Sequence, residues 1–213
     1  IVLFARSENP GLGDNTTPPK ANLQNGEPFD HWHAAVAINV CGTELGPIQD
    51  GATDPLGIHT HGDGLAHIHP FTRTAAGDRA TMGKYFDQVG FTITDEGFQL
   101  PDGMTTEDGG TTVREGETTC GGADGEVVMA YWSDAATAAG TEPDEIIRSG
   151  FEDIRFTEDG AAYTVAFVAE GSTDIAAPSA AAEIATLGAA DGGAAPTGAG
   201  TDPATATVPT EGG

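Results

Sequence analysis

The sequence predicts an α+β fold: mainly an antiparallel or mixed β-sheet, one or two short helices, and a disordered C-terminal tail. Three observations carry this. Short apolar runs, several with two-residue alternation, recur between Gly, Pro, Asn and Asp clusters, as in His31–Cys41, Val127–Trp132 and Tyr163–Val168. One stretch, Thr81–Gly90, instead places Met82, Tyr85, Phe86 and Val89 at helical spacing. From Ser172 onward the chain turns to Ala, Gly, Pro and Thr, with no Lys, Arg or aromatic residue. Such a segment buries too little apolar surface to offset its ordering entropy.

Taken in order, Ile1–Ala5 and Arg6 read as the end of a signal anchor or transmembrane segment, residues 1–6. Residues 7–28, rich in Gly, Asn, Pro and Thr, read as a linker, and residues 29–171 as one globular domain. His31–Cys41 is the first strand, Gly42–Leu56 a turn-rich loop, and Ile58–Phe71 a hairpin whose Gly-Asp-Gly turn supplies positive φ angles. Thr81 is placed to cap the helix and Gly90 to end it; its apolar stripe reads as core. Phe91–Thr94 and Gly97–Leu100 are short strands, and Met104–Gly125 a loop dense in Thr, Gly and acids. Val127–Trp132 is a buried strand, Pro143–Arg148 a helical turn with Pro at its start, and Ile154–Phe156 and Tyr163–Val168 a closing hairpin. Residues 172–213 form the tail, with Ser179–Ala190 a weak helix inside it.

Six histidines occur in the chain, and all fall in three His-x-His pairs: His31/His33, His59/His61 and His67/His69. By composition, a given His should have another two places on only roughly 2% of the time. On a strand, residues i and i+2 share a face, about 7 Å apart. Imidazoles so spaced can turn toward one ion at about 2.0–2.1 Å. The hairpin sets the second and third pairs side by side; if the first strand pairs alongside, six imidazoles share one sheet face. Asp63, between them, is the carboxylate placed to orient a ring N–H. Three other uses compete: ordinary structural packing, a pH-sensing cluster that repels itself once protonated near the reference value of about 6.5, and pairs that merely hydrogen-bond turn backbone.

Charge narrows the partners. The chain carries 33 acids against 8 bases, a net charge of −25. Such a surface repels nucleic acid and anionic membrane and draws cations. Between Lys20 and Arg73 there is no Lys or Arg, while Glu27, Asp30, Glu44, Asp50, Asp54 and Asp63 are present. The two cysteines, Cys41 and Cys120, are expected as one disulfide of a protein outside the cytoplasm, since no CxxC suggests a thiolate metal site.

The strings HWHAAVAINVCG, DPLGIHTHGDGLAHIHPFT and TMGKYFDQVG, and more weakly IRFTEDGAAYTVAFV, resemble an uncharacterised family of extracytoplasmic prokaryotic proteins. The resemblance covers most of the globular part and implies a secreted or membrane-anchored location. His31-Trp32-His33 also looks like the first paired motif of multicopper oxidases, but their Cys-flanked histidine motif with its downstream Met is missing. The cupin pattern of His-x-His, a nearby Glu and a distant His is incomplete as well. The expected function is an extracytoplasmic metal-binding domain that sequesters or delivers copper or zinc. Its ligands would be His31, His33, His59, His61, His67 and His69. The alternatives are a metal-dependent enzyme with an open three-histidine site, or a structural or interaction module with pH-sensitive histidines. No Ser-His-Asp order and no phosphate loop is present, and no catalytic residue is assigned.

Overall fold

In a computed structural model, residues 15–51 and 53–190 are described. The strands are β1 (Trp32–Val40), β2 (Thr43–Glu44), β3 (Ile58–His59), β4 (Leu65–Ile68), β5 (Thr92–Thr94), β6 (Gly97–Gln99), β7 (Thr112–Arg114), β8 (Thr119–Cys120), β9 (Ala123–Trp132), β10 (Glu145–Ile147) and β11 (Ala161–Ala169). The helices are α1 (Met82–Val89), α2 (Ala135–Ala138) and α3 (Ile184–Ala190). The main sheet runs β10-β9-β11-β1-β4-β3, with β2 added to β1 and β8 to β9. β1 and β11 are parallel and the other neighbours antiparallel. A second sheet, β5-β6-β7, is separate. The fold is therefore α+β with a mixed sheet, as the alternation predicts.

The main sheet is covered on both faces. On one, Ala34, Val36, Ile38, Val127, Met129, Val165 and Phe167 pack with Met82, Tyr85, Phe86 and Val89 of α1 and with Ile93, Phe98 and Val113 of the small sheet. On the other, Ala35, Leu65, Val128, Ala130 and Ala166 pack with Ala135 and Ala138 of α2 and with Ile175, Ala181 and Ile184 near the C-terminus. Sheets covered on both sides use strands that are apolar throughout. β11 is buried at every position but its last, so its two-residue alternation separates two cores rather than core from solvent.

Several expectations need correction. Residues 172–190 are not a disordered tail: a 3-10 turn, Ser179–Glu183, leads into α3, and both pack on the sheet. The small residues expected to leave the tail unfolded instead let it lie close to the strands. The segment read as a linker is docked from Asn15 onward: Asn15 and Ala21 exchange two hydrogen bonds, and Asn22 donates to Pro70 at 2.7 Å. The anchor expected over residues 1–6 lies outside the described residues, as does 191–213. No helix among the described residues is long and apolar enough to cross a membrane.

Pro143–Arg148 holds no helix; Glu145–Ile147 pairs with Met129–Tyr131 as an edge strand, because partner strand and burial override local propensity. Ile154–Phe156 is not the partner of β11, whose neighbours are β1 and β9; it crosses to α1, where Met82 donates to Ile154 and Phe156 to Ala80. Thr81 makes no side-chain cap, and Gly90 ends the helix in the left-handed region at φ 72°. The loop expected over Met104–Gly125 contains β7 and β8.

Cys41 and Cys120 form a disulfide across 79 residues. Cys41 (φ 51°) and Gly42 (φ 88°) make the two-residue turn between β1 and β2, both left-handed as a type I′ turn requires. The cross-link therefore fixes the end of β1 opposite to its histidines. Replacing both cysteines by Ser is expected to lower the unfolding free energy by about 2–4 kcal/mol, within a chain-entropy ceiling of about 4–5 kcal/mol. Urea denaturation of the double variant measures this; unchanged stability would mean that the bridge adds nothing to the fold.

Candidate metal centre

β4 is the middle strand of the histidine region. On one side it pairs antiparallel with β1, setting His67 opposite His33 and Ile68 opposite Trp32. On its other side it pairs with β3, setting His67 opposite His59 and Ile68 opposite Ile58. His33, His67 and His59 therefore form a row across three strands. Two-residue periodicity then carries His31, His69 and His61 onto the same face. Ile58, Ala66 and Ile68 take the opposite face, in the core shared with α1.

The six rings form one continuous array. Ring centroids lie 4.8 Å apart for His31 and His69, 4.9 Å for His33 and His67, 4.2 Å for His61 and His67, and 4.9 Å for His59 and His69. Within the pairs, His31 and His33, and His59 and His61, are each 4.9 Å apart. His33 and His67 are wholly buried and His59 is 8% exposed. His31 and His69 are half-buried, and His61 is exposed.

Three groups bring one ligand atom per residue within 4.8 Å of one another: His31, His33 and His67; Asp54, His59 and His69; and His61, Asp63 and His67. In a tetrahedral site, nitrogens at about 2.0–2.1 Å from the ion stand about 3.3–3.4 Å apart, so modest side-chain rotation closes each group. His59 Nε2 and His61 Nε2 are already 2.9 Å apart. That separation suits two nitrogens bound about 90° apart on one ion, and equally an N–H···N hydrogen bond.

Carboxylates hold the rings in place. Asp63 Oδ1 accepts from Leu65 N–H at 3.0 Å, while Oδ2 stands 3.1 Å from His67 Nε2. Asp54, which the sequence reading placed only among the local acids, does the same for His59. Its Oδ1 accepts from Leu56 and Gly57 N–H, and Oδ2 lies 2.7 Å from His59 Nδ1. The signal was the Asp-Pro-Leu-Gly turn just before His59, an Asx turn that leaves one carboxylate oxygen facing the ring. Asp159 Oδ1 accepts from His33 N–H at 2.9 Å, tying down the start of β1; burial pushes its carboxyl up.

A second part missed from sequence is the cover. α3 crosses the histidine face so closely that a Cβ on Gly188 would stand 2.8 Å from His33 Nδ1. A Cβ on Gly64, at φ 84°, would stand 2.7 Å from Ala180 Cβ. Single glycines in a low-complexity stretch give no sign of such a role.

Burial, with His59 and then His31 beside it, pushes His69 down to about 4, while Asp54 pulls the other way. In the unfolded chain a histidine titrates near 6.5. Between those values the unfolded chain holds the extra proton, so stability falls as pH drops from about 6.5 toward about 4. Urea midpoints of metal-free protein should show this slope, and His69→Gln should flatten it. Gly188→Ala tests the cover: at an open helical position Ala gains about 1 kcal/mol over Gly, but here a loss of stability in urea is expected. A gain would mean that α3 does not rest on His33.

Comparison with known protein families, with curated proteins and with solved structures returns no match, so the reading of this centre rests on its own geometry.

Proposed function

We propose that this protein is an extracytoplasmic metal-binding domain that sequesters or delivers copper or zinc through its three His-x-His pairs. The observation that carries the reading is the convergence of all six histidines on one sheet face, in three groups of three, two of them completed by Asp54 or Asp63, with ligand atoms within 4.8 Å. Imidazole suits Cu and Zn, and carboxylates on ring nitrogens are the usual support of metal-binding histidines. The acidic stretch around the pairs attracts cations. The disulfide fits an oxidising compartment.

One observation favours a second reading, a metal-dependent enzyme with an open three-ligand site. A groove of about 340 Å³ runs past Glu44, Gly62, Asp63, Gly64 and Glu183. Asp63 touches both this groove and His67. The residues lining the groove include none of the rings, and the two innermost rings are fully covered, so holding an ion ranks above turning over a substrate.

Protein made without an affinity tag is expected to hold at least one equivalent of copper or zinc by elemental analysis. His67→Gln, in the middle strand, should weaken binding by tenfold or more in a chelator competition. A preparation that is free of metal and rejects added Cu(II) and Zn(II) would remove both readings.

A further inference from the structure

The centre has an outer and an inner group, and the two share one ligand. His61 is exposed, Asp63 half-buried and His67 fully buried; together they form the outer trio. His67 also belongs to the inner trio with His33, fully buried, and His31, half-buried. The His67 ring centroid lies 4.2 Å from His61 and 4.9 Å from His33. We propose that these are successive stations for one ion: His61, Asp63 and His67 load it, and His31, His33 and His67 hold it. The inference rests on the metal-binding reading above and adds a direction to it.

The chemistry of the two groups differs in the sense a relay needs. A hydrated divalent cation carries a double positive charge, and a carboxylate meets it with a full negative charge. Asp63 supplies that charge where the groove past Glu44 and Glu183 reaches the hairpin turn. The inner trio is all imidazole, which favours copper, zinc and nickel over calcium and magnesium. The outer trio therefore catches divalent ions broadly, and the inner one retains the transition metals. α3 lies on His33, so solvent does not reach the inner trio from that side. The transfer is a ligand exchange. His61 and Asp63 leave the ion as His33 and His31 reach it, His67 bridges the change through its side-chain torsions, and no electron moves. Any proton carried by an inner nitrogen leaves as the metal arrives.

A station on the path changes uptake and release together, whereas a holding ligand changes release alone. Full-length metal-free protein mixed with Cu(II) in a stopped-flow instrument, followed by tryptophan quenching, measures uptake; release is followed by chelator chase. His61→Ala and Asp63→Asn should each slow uptake and release in step, by about tenfold. His33→Gln should instead speed release by tenfold or more. Asp63→Asn keeps an oxygen for Leu65 N–H, so the turn survives in at least one of these variants. Release that speeds up in both His61→Ala and Asp63→Asn would make the outer trio a holding site and overturn the relay. Uptake at the wild-type rate would overturn it equally. Wild-type protein that takes up no Cu(II) at all would instead bring down the metal-binding reading itself.

Discussion

The centre depends on the register of one four-residue strand. β4 hydrogen-bonds on both edges, and each pairing sets His67 opposite another histidine. Because side chains alternate faces, a slip of one residue on either side would turn a histidine pair into the hydrophobic core. The slip is blocked by what sits on the opposite face. Ile58, Ala66 and Ile68 are fully buried against the α1 core, and moving them would trade aliphatic side chains for imidazoles there. The aliphatic positions thus specify the register, and the histidines inherit their convergence from it. The same logic explains why the turn carries its own fasteners: Asp54 and Asp63 each bind turn backbone with one oxygen and a ring with the other.

A sheet buried on both faces needs two covers, and this chain supplies the second from its end. Ala35, Ala130, Ala162 and Ala166 keep that face shallow, so α2 and the segment after β11 lie close against it. Contact is fixed by small residues meeting small residues and by polar ties. Thr164 donates to the Ala176 carbonyl, and Ser179 binds the Glu44 carboxylate. A bulkier helix would stand off the strands and leave the inner histidines wet. Alanine and glycine, which weaken a tail as a free helix or coil, are what allow it to seal this one.

The sequence and structure agree where a local pattern coincides with a tertiary need. The helical stripe at Met82, Tyr85, Phe86 and Val89 is buried as its spacing implies. The His-x-His pairs lie on one face because period two leaves no other choice once the strands pair. Disagreement falls where partners are distant in sequence. Pro143–Arg148 reads as a helix start, yet the exposed edge of β9 recruits Glu145–Ile147 as a strand. Tyr163–Val168 looks like half of a local hairpin, but its partners are a parallel strand more than a hundred residues earlier and β9. The C-terminal segment misled most, since composition measures how much apolar surface a piece can bury alone and says nothing of a shallow face waiting for it. Asp54 counts in the sequence only among the local acids; its second oxygen facing His59 follows only from the folded turn.

The array also bears on why imidazole was used in so acidic a protein. Carboxylates are plentiful on this chain, and a cluster of them would draw cations more strongly. Buried together without an ion, however, they would repel one another and take up protons instead. Neutral imidazoles carry no such penalty. Here the rings pack partly stacked and partly edge to face, with centroids 4.2–5.6 Å apart, and the inner ones lie in a dry surrounding. His69 shows the consequence: burial, with His59 and then His31 beside it, pushes it down to about 4. A ring that stays neutral well below the usual histidine range keeps its lone pair for a cation other than the proton. On the metal-binding reading proposed above, the surface acids would concentrate cations near the domain and the buried rings would select among them, two tasks that one residue type could not perform in the same place.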